Sequence, residues 1–151
     1  MTIRVTWSLE GSELIPQATL ECAAQAALEH GGRPAADVDV ILLSDEALAD
    51  LHARFLDDPS PTDVIAFDLG EDDEGPVGEV YVSVDCARRV AESRGVTPER
   101  ELVLYLVHGC LHLCGYDDHE ESERAQMRRA ESLVLERLGY PPDDAPHEFT
   151  G

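Results

Sequence analysis

The sequence predicts an α/β (α+β) fold: one small domain in which a mixed sheet of about four strands packs with helices. Three observations carry this. Short β-branched runs alternate along the chain with segments of helical periodicity, the order expected of layered strand-and-helix domains. A length of 151 residues suffices for one hydrophobic core without disulfide staples. No repeat or Pro/Gly-rich linker divides the chain, so residues 1–140 read as a single domain and 141–151, from Pro141 onward, as a C-terminal tail.

Thr2 to Ser8 alternates and carries β-branched residues, which predicts a first strand. From about Leu14 to His30, Leu20, Ala23, Ala24, Ala27 and Leu28 recur at helical spacing, and Gly31-Gly32 stops the helix. Val38 to Leu43 is a second strand. Ser44 fits the N-cap of a helix to about Phe55, with Asp45 and Glu46 at its positive end. Thr62 to Leu69 is a third strand, Glu71 to Pro76 a charged loop, and Gly78 to Val84 a fourth strand. A helix from about Asp85 to Ser93 follows. Thr97 and Pro98 fit the N-cap and first position of the next helix, which runs to Cys114 and is apolar nearly all round, so it should be buried. A last amphipathic helix covers about Glu120 to Leu138.

Thirty-two acidic residues oppose eleven basic ones, a net charge of -21, and every basic residue is arginine. Such a charge disfavours non-specific adhesion to DNA, other polyanions and anionic membranes, so any nucleic-acid function must use a local patch. A salt-rich cytoplasm that screens the repulsion accounts for this composition, and so does a plain solvated acidic surface. The longest apolar run, Leu102 to Val107, is far short of the roughly 20 residues that cross a bilayer. The N-terminus lacks a basic segment followed by a long hydrophobic stretch. The chain therefore reads as cytoplasmic, and its four cysteines as free thiols.

The stretch from His108 to His119 carries the chemistry. His108 and His112 lie four residues apart, on one face of the apolar helix, and two ring nitrogens can converge from there on one ion. Gly115 suits the left-handed residue that ends a helix, after which the chain can double back and present His119. Three neutral nitrogens would hold one zinc ion and leave a fourth position for water, the mark of a catalytic site. Cys110 and Cys114 each fall about 200° around the helix from a histidine, facing away, and read as small buried hydrophobes; Cys22 and Cys86 read the same way. His30 suits a helix C-terminus, His147 falls in the tail, and nothing supports His52 as a ligand. The metal helix is zincin-like, resembling the His-Glu-x-x-His signature of zinc peptidases, but Gly109 stands where those enzymes carry their general base. Zinc alone can lower the pKa of its water, and what remains to be supplied is positive charge for an anionic transition state, or a base from elsewhere such as Asp117 or Asp118.

The run His108-Gly-x-Leu-His112-Leu-x-Gly115-Tyr116-Asp followed by His resembles the signature of the YbeY family, bacterial endoribonucleases of ribosomal RNA maturation. Pro61-Thr62-Asp63-Val64-Ile65-Ala66-Phe67 is similar to that family's Pro-Thr-Asp-Val-Leu-Ser-Phe strand, and Gly78-Glu79-Val80-Tyr81-Val82-Ser83 to its Gly-Asp-Ile-x-Ile-Ser strand. The resemblance implies a zinc site of three histidines acting on single-stranded RNA, at the 3′ end of 16S rRNA and in ribosome quality control, with the ribosome or its small subunit as partner. Two departures stand out. Asp117-Asp118 replaces the family's single aspartate, so His119 is displaced by one residue and Asp118 occupies the family's histidine position. Leu56 occupies the position of the family's catalytic arginine, and Arg54 is the nearest substitute.

Arg88, Arg89, Arg94 and Arg100 cluster before the metal helix, and Arg88 and Arg89 are the candidate phosphate contacts. Three readings follow: a zinc-dependent endoribonuclease, a metal-dependent hydrolase of another ester or amide, and a non-catalytic ribosome-assembly protein with structural zinc. Between Asp118 and His119 as third ligand, imidazole is expected, because a neutral ligand set leaves zinc its full double charge.

Overall fold

The computed structural model describes residues 3–8, 15–56, 63–72 and 75–140. The elements follow as β1 (Ile3–Trp7), α1 (Gln17–His30), β2 (Asp37–Leu43), α2 (Asp45–Leu56), β3 (Val64–Asp72), β4 (Gly75–Ser83), α3 (Val84–Arg94), α4 (Pro98–Leu113) and α5 (Glu121–Arg137). The four strands form one mixed sheet in the order β1-β2-β4-β3, in which β2 runs parallel to β1 and β4 while β3 is antiparallel to β4.

Strand alternation sorts the side chains into two layers. Val38, Val40 and Leu42 of β2, with Val80 and Val82 of β4 and Val64 of β3, face the main core under α1, α3, α4 and α5. Leu43 and Ile65, with Ile41, Phe67 and Tyr81 packed beside them, face the smaller cluster that Leu48 and Leu51 of α2 cover. The expected caps are present: Ser44 Oγ accepts from Ala47 N at 3.2 Å, and Thr97 Oγ1 from Arg100 N at 3.2 Å with Pro98 following. Pro16 precedes α1, so that helix starts at Gln17 rather than near Leu14.

The charged loop expected from Glu71 to Pro76 is largely strand. After an irregularity between Asp68 and Glu71 the ladder resumes with Glu71 opposite Pro76 and Asp72 opposite Gly75. A hairpin ladder is held by backbone groups, so charge on its side chains does not prevent it. Cys22 departs from expectation as well, being exposed on α1, whereas Cys86 and Cys110 are buried and Cys114 half-buried. His147 and the tail from Pro141 lie outside the described residues.

Helix α4 is buried from Arg100 to Leu111 without a break. It reaches the sheet because Gly109 has no side chain: a Cβ there would lie 2.5 Å from Val80 Cγ1 and 3.1 Å from Val64 Cγ2. Those methyls belong to β-branched side chains on β4 and on the neighbouring edge strand β3 and have little room to turn. Gly109→Ala should therefore destabilise the fold by about 1–2 kcal/mol, the overpacking cost exceeding the helix-propensity gain of alanine. Urea denaturation followed by circular dichroism reads this, and an unchanged or raised midpoint would show that α4 can shift away from the sheet freely.

Candidate metal centre

Two consecutive turns of α4 and the loop after it build the centre. The helix ends in a Schellman arrangement: Gly115, at φ +96°, donates from its N–H to His112 O at 3.0 Å, and Tyr116 N–H donates to Leu111 O at 3.1 Å. The chain thereby turns back so that Asp117, Asp118 and His119 line the same cleft as His108 and His112, opposite Val64, Ile65 and Ala66 of β3. The cleft holds about 280 Å3.

The structure brings His108, His112 and Asp118 together. Their Nε2 atoms lie 3.0 Å apart, and Asp118 Oδ2 is 3.5 Å from the first and 3.6 Å from the second. Ligand atoms about 2.0–2.1 Å from a tetrahedral ion are spaced by about 3.3–3.4 Å. The observed triangle brackets that spacing, so the donor set fits one divalent cation. His119 is not brought into this triangle. Its side chain is 82% exposed and its Nε2 lies 3.2 Å from Asp117 Oδ1, while its carbonyl accepts from Arg124 Nη1 at 2.9 Å. The physical reason is the extra residue: Asp118 follows the turn at the distance that reaches the imidazoles, and His119 comes one residue later at the cleft mouth. Asp117, Asp118 and His119 form a second, more exposed group of mutually close donors.

Glu131 of α5 completes the centre from behind, with Oε2 at 2.6 Å from His108 Nδ1, and both side chains are buried. Sequence reasoning missed it. The available signal was a carboxylate at position 131 amid the apolar stripe of Met127, Ala130, Val134 and Leu135, which is the buried face of α5. Burial opposes charge on His108, but the carboxylates of Asp118 and Glu131 outweigh it and raise its pKa. Burial and the neighbouring His108 lower the pKa of His112. Hydrogen bonding to His108 outweighs burial and keeps Asp118 below the ordinary carboxylate range. These shifts favour positive charge on His108 over His112.

The other candidates sit apart from the cleft. Arg54, near the end of α2, is 72% exposed and 3.7 Å from Asp50. Arg88 is exposed on α3, and Arg89 pairs with Asp45 at 2.7 Å. Arg94 is turned inward onto buried Glu101 at 2.6 Å, and Arg100 is itself buried, so neither serves a phosphate surface. Cys110 is buried and its thiol pKa is pushed up by burial, in keeping with a packing role.

The sequence profile of the Endoribonuclease YbeY family matches residues 8–139. The chain belongs to this family. It is 36% identical over 138 residues to the Endoribonuclease YbeY of Heliobacterium modesticaldum, covering 82% of this chain and 83% of that one. It is 38% identical over 125 residues to the Endoribonuclease YbeY of Bacillus licheniformis, covering 76% and 79% of the two chains. The solution structure of TM1509 from Thermotoga maritima matches with a TM-score of 0.58 and 27% identity, over 97% of this chain and 99% of that one. Membership of the YbeY family makes the chain a hydrolytic endoribonuclease, and RNA its substrate. No helix among the described residues is long and apolar enough to cross a membrane.

Glu131 fixes the ring of His108 and the proton on its Nδ1, which leaves Nε2 as the atom presented to an ion. Glu131→Ala is expected to weaken divalent-metal binding by roughly 10–100-fold, and Glu131→Gln, which keeps an acceptor at that place, by less. Competition titration against a chromogenic chelator measures both, and equal affinities for all three proteins would remove Glu131 from the centre.

Proposed function

We propose that the chain is a zinc-dependent endoribonuclease that cleaves single-stranded RNA in the cytoplasm, acting in maturation of the 3′ end of 16S rRNA and in ribosome quality control. The observation that carries the reading is the triangle of His108 Nε2, His112 Nε2 and Asp118 Oδ2, with edges of 3.0, 3.5 and 3.6 Å, in a chain of this family. When bound there, zinc would supply a water of lowered pKa and a Lewis acid for a phosphoryl oxygen. His108 and His112 would hold it from the helix, and Asp118 from the loop.

His119 and Asp117 line the open side of the cleft. Their pairing at 3.2 Å orients the imidazole, and its exposure lets the ring turn without losing buried contacts. That freedom supports a second arrangement, in which His119 takes the third ligand position and Asp118 becomes a hydrogen-bond acceptor beside it. Arg54 would serve as the cation that offsets developing charge, as the nearest substitute for the family's arginine, and Arg88 and Arg89 as phosphate contacts on the strength of residue type and clustering. Gly109 leaves no carboxylate on the helix where a peptidase of the His-Glu-x-x-His type carries its base, so a phosphodiester is the better substrate than a peptide.

The observed spacing favours Asp118 over the imidazole expected at the third position. Asp118→Asn should therefore cost more zinc affinity than His119→Ala, as read by equilibrium titration of the two proteins; the reverse order would establish the three-histidine set. The zinc-loaded chain is expected to cleave single-stranded RNA, to leave duplex RNA and casein intact, and to lose activity on chelation. Casein cleavage with RNA left intact would replace the nuclease reading with that of a hydrolase of amides.

A further inference from the structure

We infer that the cleft between the C-terminal end of α1, Tyr116 and α5 is a nucleobase subsite, which takes the base of single-stranded RNA next to the phosphodiester held in the metal cleft. The inference rests on the endoribonuclease reading and adds a place where one nucleotide is gripped.

The cleft holds about 230 Å3 and is lined by His30, Tyr116, Gln126, Arg129, Ala130 and Leu133. His30 and Tyr116 stand with ring centroids 6.5 Å apart and planes tilted by 35°, near the about 7 Å outer limit of ring contact, so their faces are not consumed by stacking on each other. Leu133, 44% exposed, is one of two large hydrophobic side chains exposed among the described residues and adds an apolar wall. Gln126 brings an amide that both donates and accepts, which suits the edge of a base. The composition is that of single-strand binding sites, in which aromatic faces take the base and arginine takes the backbone.

Two further observations favour RNA here. Arg4, Arg33, Arg54, Arg89, Arg94 and Arg137 each stand in an ion pair, as a chain of net charge -21 makes easy. Arg129, exposed and facing this cleft, has no carboxylate partner among the described residues. The position is also apt, because Tyr116 lines this cleft and the next residue, Asp117, lines the metal cleft. The two clefts therefore flank one backbone step, from Tyr116 to Asp117. Arg124, which donates to the carbonyls of Asp118 and His119, ties α5 to the loop between the two clefts.

The test is steady-state cleavage of a six-nucleotide single-stranded RNA by the full metal-loaded chain, beside the same oligomer made abasic at the nucleotides flanking the cleavage point. Tyr116→Leu and Arg129→Ala should each raise KM about tenfold with kcat and metal content unchanged, the pattern of lost binding rather than lost chemistry. Tyr116→Phe should match the unaltered chain. One abasic substrate should lose the same factor, and its loss should not add to that of Tyr116→Leu. Should Tyr116→Leu lose metal, Arg129→Ala and Gln126→Ala with the abasic series decide the matter, since both side chains are exposed. RNA cleavage with KM unmoved by Arg129→Ala, or fully additive losses, would overturn the subsite alone; failure of the unaltered chain to cleave RNA would overturn the nuclease reading and the subsite with it.

Discussion

The close approach of α4 to the sheet is the constraint on which the rest depends. This helix is buried along nearly its whole length and touches α1, α3, α5, β3 and β4. Each of its large apolar side chains contributes roughly 1.5–3 kcal/mol by leaving water. A helix buried on every side has no wet face for its polar residues, so each must find a partner inside. Glu101 finds Arg94, and His108 finds Glu131. The absence of a side chain at Gly109 brings the helix down on Val64 and Val80, and the same descent sets the imidazoles of His108 and His112 against the first residues of β3. The glycine that removes a peptidase's base is therefore also what builds the wall of the cleft.

Charge is distributed in a way that fits this centre. A chain of -21 repels RNA at long range, and most of its arginines are held by carboxylates of the same chain. What remains for recognition is local: the candidate metal centre, and the guanidinium groups without a carboxylate partner among the described residues, Arg129 among them. Approach to a polyanion then depends strongly on ionic strength, because the repulsion is long-ranged and screened while the contacts at the clefts are short-ranged.

Much of the fold was legible because hydrophobic period and caps agree along this chain. Every strand and helix expected from the sequence is present, and Ser44, Thr97, Pro98 and Gly115 act where their backbone chemistry says they should. The pairing of Glu71 with Pro76 and of Asp72 with Gly75 was hidden because this charged stretch carries no apolar alternation to read. At the centre, helical spacing alone sets His108 and His112 on one face, where their Nε2 atoms lie 3.0 Å apart. Glu131 was not accessible that way, since its partner lies 23 residues away in sequence and only the packing of α5 on α4 joins them. The choice between Asp118 and His119 depends on the path of three residues after a helix stop, and a one-residue insertion changes which side chain points inward without changing the motif that announces it.

The groups around His108 favour positive charge at its ring. Two buried or half-buried carboxylates, Glu131 and Asp118, favour positive charge on His108 against the cost of its burial, while the burial of His112 and the neighbouring His108 lower the pKa of His112. A divalent cation held by His108 Nε2, His112 Nε2 and Asp118 Oδ2 would face the Asp118 carboxylate directly and Glu131 only through the His108 ring, and it would compete with a proton for Nε2. Lower pH favours the proton, because the raised pKa of His108 keeps it bound, and the apparent affinity for the cation must fall accordingly. The acidic surroundings thus act in one direction whichever cation is present: they stabilise charge at Nε2, and Glu131 ensures that Nε2 rather than Nδ1 is the nitrogen that faces it.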